Sequence, residues 1–131
     1  MNWIKKYFGK KYIAVSWTIL IFILLALPGS VLPHEKAFAI PQFDKLVHIG
    51  LFSCFVFLWC LYYSKRNLPQ KKLLVLFFWI FVIAAVYGAG MEFVQKYFIP
   101  GRDFEVGDIL ADLIGASLAY GTSNILLLGI E

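Results

Sequence analysis

The chain has 131 residues, 61% of them hydrophobic, and a formal net charge of +4. That length suits one domain. A mean hydropathy of +0.78 excludes an ordinary water-soluble fold, because too little polar side chain remains to cover its surface.

Four long apolar segments follow one another, at about 12–32, 44–63, 73–98 and 106–128. A membrane-crossing helix needs roughly 20 mostly apolar residues, and each segment reaches that length. The segments are continuously apolar rather than alternating, which argues against a closed β-barrel. Helices are the remaining way to satisfy every backbone group inside lipid. The expected architecture is an all-α membrane protein, one domain forming a four-transmembrane-helix bundle.

Lys5, Lys6, Lys10 and Lys11 precede the first segment, and this basic head and apolar run imitate a signal peptide. Ala37-Phe38-Ala39 resembles a cleavage site, but Pro28 and Pro33 separate it from the apolar run, so a retained first helix is expected. Leu27-Pro28-Gly29 and Pro33 break that helix. The loop from Pro33 to Phe43 is long enough to fold back over the helix ends. The second segment opens on Asp44-Lys45-Leu46-Val47-His48 and holds both cysteines, Cys54 and Cys60. Six helical residues separate the cysteines by about 9 Å along the axis, beyond disulfide reach. Pro69 marks a turn into the third segment, where Ala84, Gly88 and Glu92 share a face, followed by Gln95 and Lys96. Pro100-Gly101 ends that segment and Arg102 follows. The fourth segment carries Asp108 and Asp112 near its start, then the stripe Ala111, Gly115, Ala119. Small residues at this spacing let helix backbones approach closely in lipid. The Gly88 and Gly115 stripes are expected to face each other or the second helix.

Charge sets the expected orientation. The N-terminal lysines together with Lys65, Arg66, Lys71 and Lys72 lie on one side, with Glu131 as the acid there. Lys36, Lys45, Lys96 and Arg102 lie on the other, among all seven remaining acids. The positive-inside rule puts both termini in the cytoplasm and the acidic connections outside. The basic clusters fit anionic lipid headgroups, so the net charge gives no support to nucleic-acid binding.

Ionisable groups at membrane depth are a functional-site hypothesis by default, and here three clusters end up on one side. Asp44 and His48 lie one helical turn apart. A carboxylate beside an imidazole raises its basicity and fixes its tautomer, as a general base or metal ligand requires; equally, Asp44 can serve as a helix cap. Glu92 must be protonated, paired or exposed to a wet cavity, and Lys96 offers a simple partner. Arg102 has a fork suited to carboxylate or phosphate, or to a neighbouring acid. Asp108 and Asp112 are favoured near a helix N-terminus by the helix dipole. Proton or hydrogen-bond roles are expected at Glu92, His48 and Asp44, with ligand contacts at Lys45, Gln95, Arg102, Asp108 and Asp112. No cofactor is expected; a metal on Asp44, His48, Glu92 and Asp112 is conceivable but not the leading expectation.

Asp44-Lys45-Leu46-Val47-His48, Glu92-Phe93-Val94-Gln95, Pro100-Gly101-Arg102 and Asp108-x3-Asp112-x2-Gly115 together resemble the VanZ-like family, in the family's order and over nearly the whole chain. One departure is Asp112, where the family pattern usually has Asn; an ionised Asp only accepts hydrogen bonds, whereas an amide also donates. The family is named for a small membrane protein associated with low-level teicoplanin resistance. The resemblance implies a cell-envelope protein of the bacterial cell membrane that lowers susceptibility to teicoplanin-type lipoglycopeptides through an outward-facing polar pocket. Its implied partners are membrane lipids and either a lipid-linked envelope precursor or the lipoglycopeptide itself. A second reading is a hydrolase or transferase acting on a lipid-linked substrate by Glu/His acid–base chemistry. No Ser or Cys nucleophile motif, HExxH or phosphatase signature accompanies it. A third reading is a structural module whose polar cluster only organises the bundle.

Overall fold

Helix limits in this chain follow its prolines, its glycines and the ends of its apolar runs. A computed structural model describes residues 1–31 and 42–129, and these fold into five α-helices and one short 3-10 turn. The expected fold-back loop from Pro33 to Phe43, with Lys36 in it, lies almost wholly outside the described residues.

Helix α1 (Asn2–Phe8) and helix α2 (Lys11–Leu25) meet at a 66° bend. Helix α2 is shorter than the apolar run that contains it. Pro28 has no N–H to continue the ladder, and the chain passes into a 3-10 turn at Gly29–Val31. Fifteen residues make a rod of about 22 Å, less than the roughly 30 Å of a hydrocarbon core. Helix α2 alone is short of a crossing; α1 and α2 together are long and apolar enough to form a broken span, bent by 66°.

Helix α3 runs Phe43–Ser64, α4 Gln70–Phe98 and α5 Val106–Leu128. Pro69 stands just before α4, where a missing N–H costs nothing. Gly129 closes α5 in the left-handed region, its N–H donating to the Ile125 carbonyl. These three helices are each long and apolar enough to cross a membrane, and the bent pair, counted as one broken span, would be a fourth. The chain is an all-α membrane protein.

Helix α5 is the central packing element, lying against α3 most extensively and against α4, while α2 covers another side of α3. Close approach is what the small residues allow. A Cβ at Gly115 would collide with the Ile49 carbonyl of α3, and Ser53 Oγ donates to the Gly115 carbonyl at 2.9 Å across the same crossing. Gly88 of α4 sits against the Asp112 side chain of α5. Phe52, Val56, Phe77, Ile21 and Leu61 fill the interior. Trp17 Nε1 donates to the Leu51 carbonyl at 3.0 Å and Tyr87 Oη to the Thr18 carbonyl at 2.9 Å, fixing α2 against α3 and α4. Outward-facing Val75, Trp79, Ile83 and Val86 on α4 and Leu110, Ile114, Leu118 and Ile125 on α5 are exposed. Apolar surface of that extent suits lipid, not water.

Successive long helices alternate in direction, so the start of α3, the end of α4 and the start of α5 share one end of the bundle. Gly29 N donates to the Pro100 carbonyl at 3.1 Å and so fastens the end of α2 there too. A Cβ at Gly29 would strike the Gly101 backbone, so only glycine permits that contact. At the opposite end Gln70 Nε2 donates to the Leu128 carbonyl at 3.0 Å.

Candidate functional site

At the polar end, α3 contributes Asp44, Lys45 and His48, α4 contributes Glu92 and Gln95, and α5 contributes Asp108 and Asp112. Helical spacing of four puts Asp44 above His48 and Asp108 above Asp112 on their own helices. The α3–α5 crossing at Gly115 then brings the two pairs together.

His48 is the centre. Its Nδ1 lies 2.8 Å from Asp112 Oδ1, and its Nε2 lies 3.6 Å from Asp108 Oδ2. All three side chains are buried: His48 is 3% exposed, Asp108 4% and Asp112 1%. The partner of His48 is thus Asp112 on another helix, not the neighbouring Asp44. Asp112 is bound to neither Lys45 nor Arg102. An ionised Asp112 accepts from Nδ1–H, which leaves Nε2 of a neutral ring as a lone pair.

Lys45 gathers the outer acids. Its Nζ donates to Asp44 Oδ2 at 3.1 Å, Glu105 Oε2 at 3.1 Å and Asp108 Oδ1 at 3.2 Å. Asp44 and Glu105 are well exposed at 39% and 53% of their side chains, against 6% for Asp108. The buried contact with Asp108 therefore carries most of the energy, since exposed pairs are worth little. Lys45 also lies over Gly107, where a Cβ would come 2.7 Å from Lys45 Cε. Glu105 was not among the residues singled out from sequence. Its only signal is its place three residues before Asp108, at the N-cap of α5.

Glu92 is 1% exposed. One oxygen, Oε2, accepts from the Glu105 backbone N–H at 2.9 Å; the other, Oε1, has no partner among the described residues. Lys96 does not pair with Glu92. It turns outward, its Nζ lying over the rings of Tyr97 and Phe104. Gln95 is fully buried, and its Nε2 donates to the Leu25 carbonyl at 2.9 Å. That bond satisfies one of the orphan carbonyls at the end of α2, so Gln95 is at least partly structural. Arg102 stands half-buried in the α4–α5 connection with no ion pair or side-chain hydrogen bond to any described residue.

Away from this end the buried polar side chains are few. Ser123 is one, and the cysteines are far down α3, Cys54 exposed and Cys60 buried, both free. Among the described residues, His48, Glu92, Asp108 and Asp112 thus converge on one end, buried under a lysine clasp.

A family model described as VanZ/LLP1 matches residues 1–127. The chain belongs to the VanZ/LLP1 family. One curated relative, an uncharacterised fission-yeast protein (C11E3.10 of Schizosaccharomyces pombe), is 36% identical over 102 residues, covering 76% of this chain. The match spans 57% of that relative's own length. No solved structure matches this VanZ/LLP1 chain.

Proposed function

We propose that this VanZ/LLP1 protein acts at the outer face of a bacterial cell membrane, on the anionic headgroup of a lipid or lipid-linked envelope component. The observation that carries the proposal is the buried group His48, Glu92, Asp108 and Asp112 at one end of the bundle. Burying ionisable side chains is costly, and a purely structural pair is often replaceable by apolar residues without loss. Convergent buried carboxylates and an oriented imidazole are what proton transfer at an interface needs. Arg102, without an acidic partner among the described residues, would hold a phosphate or carboxylate from the connection above, with Lys45 beside the deeper acids.

The lysine distribution supports both termini inside and this end outside. Lipoglycopeptides of the teicoplanin type concentrate at that same outer surface through their lipid tails. Lowered susceptibility to them follows as a consequence of altered envelope lipid or of a shielded drug anchor. The fission-yeast relative favours a target not confined to bacterial envelopes, and so favours the lipid-directed chemistry over a role special to glycopeptides.

The test compares cells lacking the protein with cells carrying wild type, Glu92→Gln or His48→Ala at matched membrane levels. Extracted lipids are profiled by mass spectrometry, and surface binding of fluorescent teicoplanin and vancomycin is measured. Wild type is expected to change at least one anionic or lipid-linked species about threefold or more and to reduce teicoplanin signal; the variants restore the null profile. Identical lipid profiles and identical drug binding in all strains would refute the proposal.

A further inference from the structure

A ring nitrogen of His48, one carboxylate oxygen of Glu92 and one of Asp108 lie within 4.8 Å of one another, and all three residues are buried. With Asp112 accepting from Nδ1–H, the Nε2 of a neutral ring presents a lone pair to Asp108 Oδ2 at 3.6 Å. Two acceptors facing at that separation make no hydrogen bond and repel each other unless a positive species lies between them. Glu92 adds a further acceptor, its Oε1 buried and without a partner among the described residues.

Charge balance points the same way. Glu92, Asp108 and Asp112 are three buried carboxylates, and the cation paired with them among the described residues is Lys45, whose charge Asp44 and Glu105 also draw on. The group is therefore short of positive charge, and buried charges are paired or coordinate metals. Geometry agrees as well. Two ligands each about 2.1 Å from one ion lie about 3.0–3.6 Å apart for angles between 90° and 120°, and His48 Nε2 and Asp108 Oδ2 fall at the upper end of that range. Asp112 on the far nitrogen completes the carboxylate–histidine arrangement that orients a metal-binding imidazole.

We propose that His48 Nε2, Glu92 and Asp108 bind one divalent first-row transition ion, with Asp112 as the residue that positions His48. An imidazole ligand disfavours Mg2+ and Ca2+, while two carboxylates suit Zn2+ or Mn2+. Three protein ligands leave coordination positions for water or for an anionic oxygen of a bound headgroup, as in sites that do chemistry rather than hold structure. The inference deepens the proposed function, whose site it shares, and changes one role there: His48 holds an ion and proton transfer falls to ion-bound water. Ion binding itself does not need that function to be correct.

The experiment uses full-length protein in detergent, stripped with chelator, reloaded with Zn2+ or Mn2+, desalted and analysed for metal content. Wild type is expected to retain about one equivalent of one of the two ions. A variant carrying His48→Ala, Glu92→Gln and Asp108→Asn together is expected to lose it. Asp112→Asn is expected to bind 10–100-fold more weakly, the usual loss for a residue that orients a metal ligand, while Arg102→Ala, outside the ligand set, keeps wild-type affinity. Helical circular dichroism confirms that each protein is folded, and the single variants Glu92→Gln and Asp108→Asn stand in if the triple variant unfolds. Wild type retaining neither ion above the level of the ligand variants would overturn the proposal. In vesicles, lipid conversion by purified, reconstituted wild type that survives chelation would overturn the ion's part in the chemistry and leave acid–base catalysis standing. Ion bound with no lipid change in any strain would uphold the site and refute the proposed function.

Discussion

Replacing Gly88 by alanine sets a methyl group 2.5 Å from Asp112 Oδ2 and 3.0 Å from both Asp112 Cβ and Cγ. The carboxylate cannot simply swing aside, because its own Cβ is among the atoms struck. The clash therefore pushes α4 away from α5 and strains the bond of Asp112 to His48 at the same time. Overpacking a close crossing costs about 1–3 kcal/mol. A distorted hydrogen bond between charged groups costs about 1.5–3 kcal/mol more, and the better helix propensity of alanine returns about 1 kcal/mol. The net destabilisation centres on about 3 kcal/mol. Gly90, two residues on, has nothing within 4 Å of its would-be Cβ, so Gly90→Ala is expected to be neutral or stabilising by up to about 1 kcal/mol. The assay is equilibrium unfolding of both variants in mixed detergent–SDS micelles, followed by circular dichroism. Unfolding free energies within about 0.5 kcal/mol of each other would refute the packing of Gly88 against Asp112.

Gln95→Leu removes the donor to the buried Leu25 carbonyl and is expected to cost about 1–3 kcal/mol, read by the same unfolding assay; no loss would mean that the end of α2 is held by other contacts. Lys45→Met leaves Asp108 buried without its cation and is expected to destabilise by about 1–3 kcal/mol, less than a fully buried pair because the lysine is partly exposed; reversal of that loss in the double variant with Asp108→Asn, in a double-mutant cycle, checks the pairing. Arg102 has no side-chain partner among the described residues, so Arg102→Ala is expected to stay within about 0.5 kcal/mol of wild-type stability. Its lipid phenotype in cells is expected to fall to the null level, and full activity of a stable Arg102→Ala protein would remove Arg102 from the site.

Helices were easier to read than partnerships. The apolar runs at about 44–63, 73–98 and 106–128 coincide with α3, α4 and α5 within three residues at each end, because burial in lipid imposes one continuous pattern on a whole segment. The first helix departs from its run. Apolar character persists past Leu25, but Pro28 and Gly29 end the ladder earlier, and hydropathy does not register backbone chemistry. Spacing along one helix placed Asp44 with His48 and Glu92 with Lys96. The fold gives His48 to Asp112 and turns Lys96 to the rings of Tyr97 and Phe104. Which faces meet is decided by where α5 can approach α3, and that depends on Gly115 against Ile49, a three-dimensional fact with only a small-residue stripe as its trace. Glu105 escaped notice because a backbone N–H directed at Glu92 leaves no mark on side-chain chemistry.

The buried group draws its members from helices that are synthesised in order. His48 enters the membrane with α3 and Glu92 with α4, before Asp108 and Asp112 exist. Sixteen residues separate Glu92 from Asp108, which at ordinary translation rates is an interval of about 1–3 s. During that time Glu92 has neither the Glu105 amide nor the α5 carboxylates beside it. Arrival of α5 then supplies those partners. The bond between Gly29 and Pro100 joins segments made before α5, so a chain truncated before Val106 should still fasten its first helix while Glu92 lacks the α5 carboxylates.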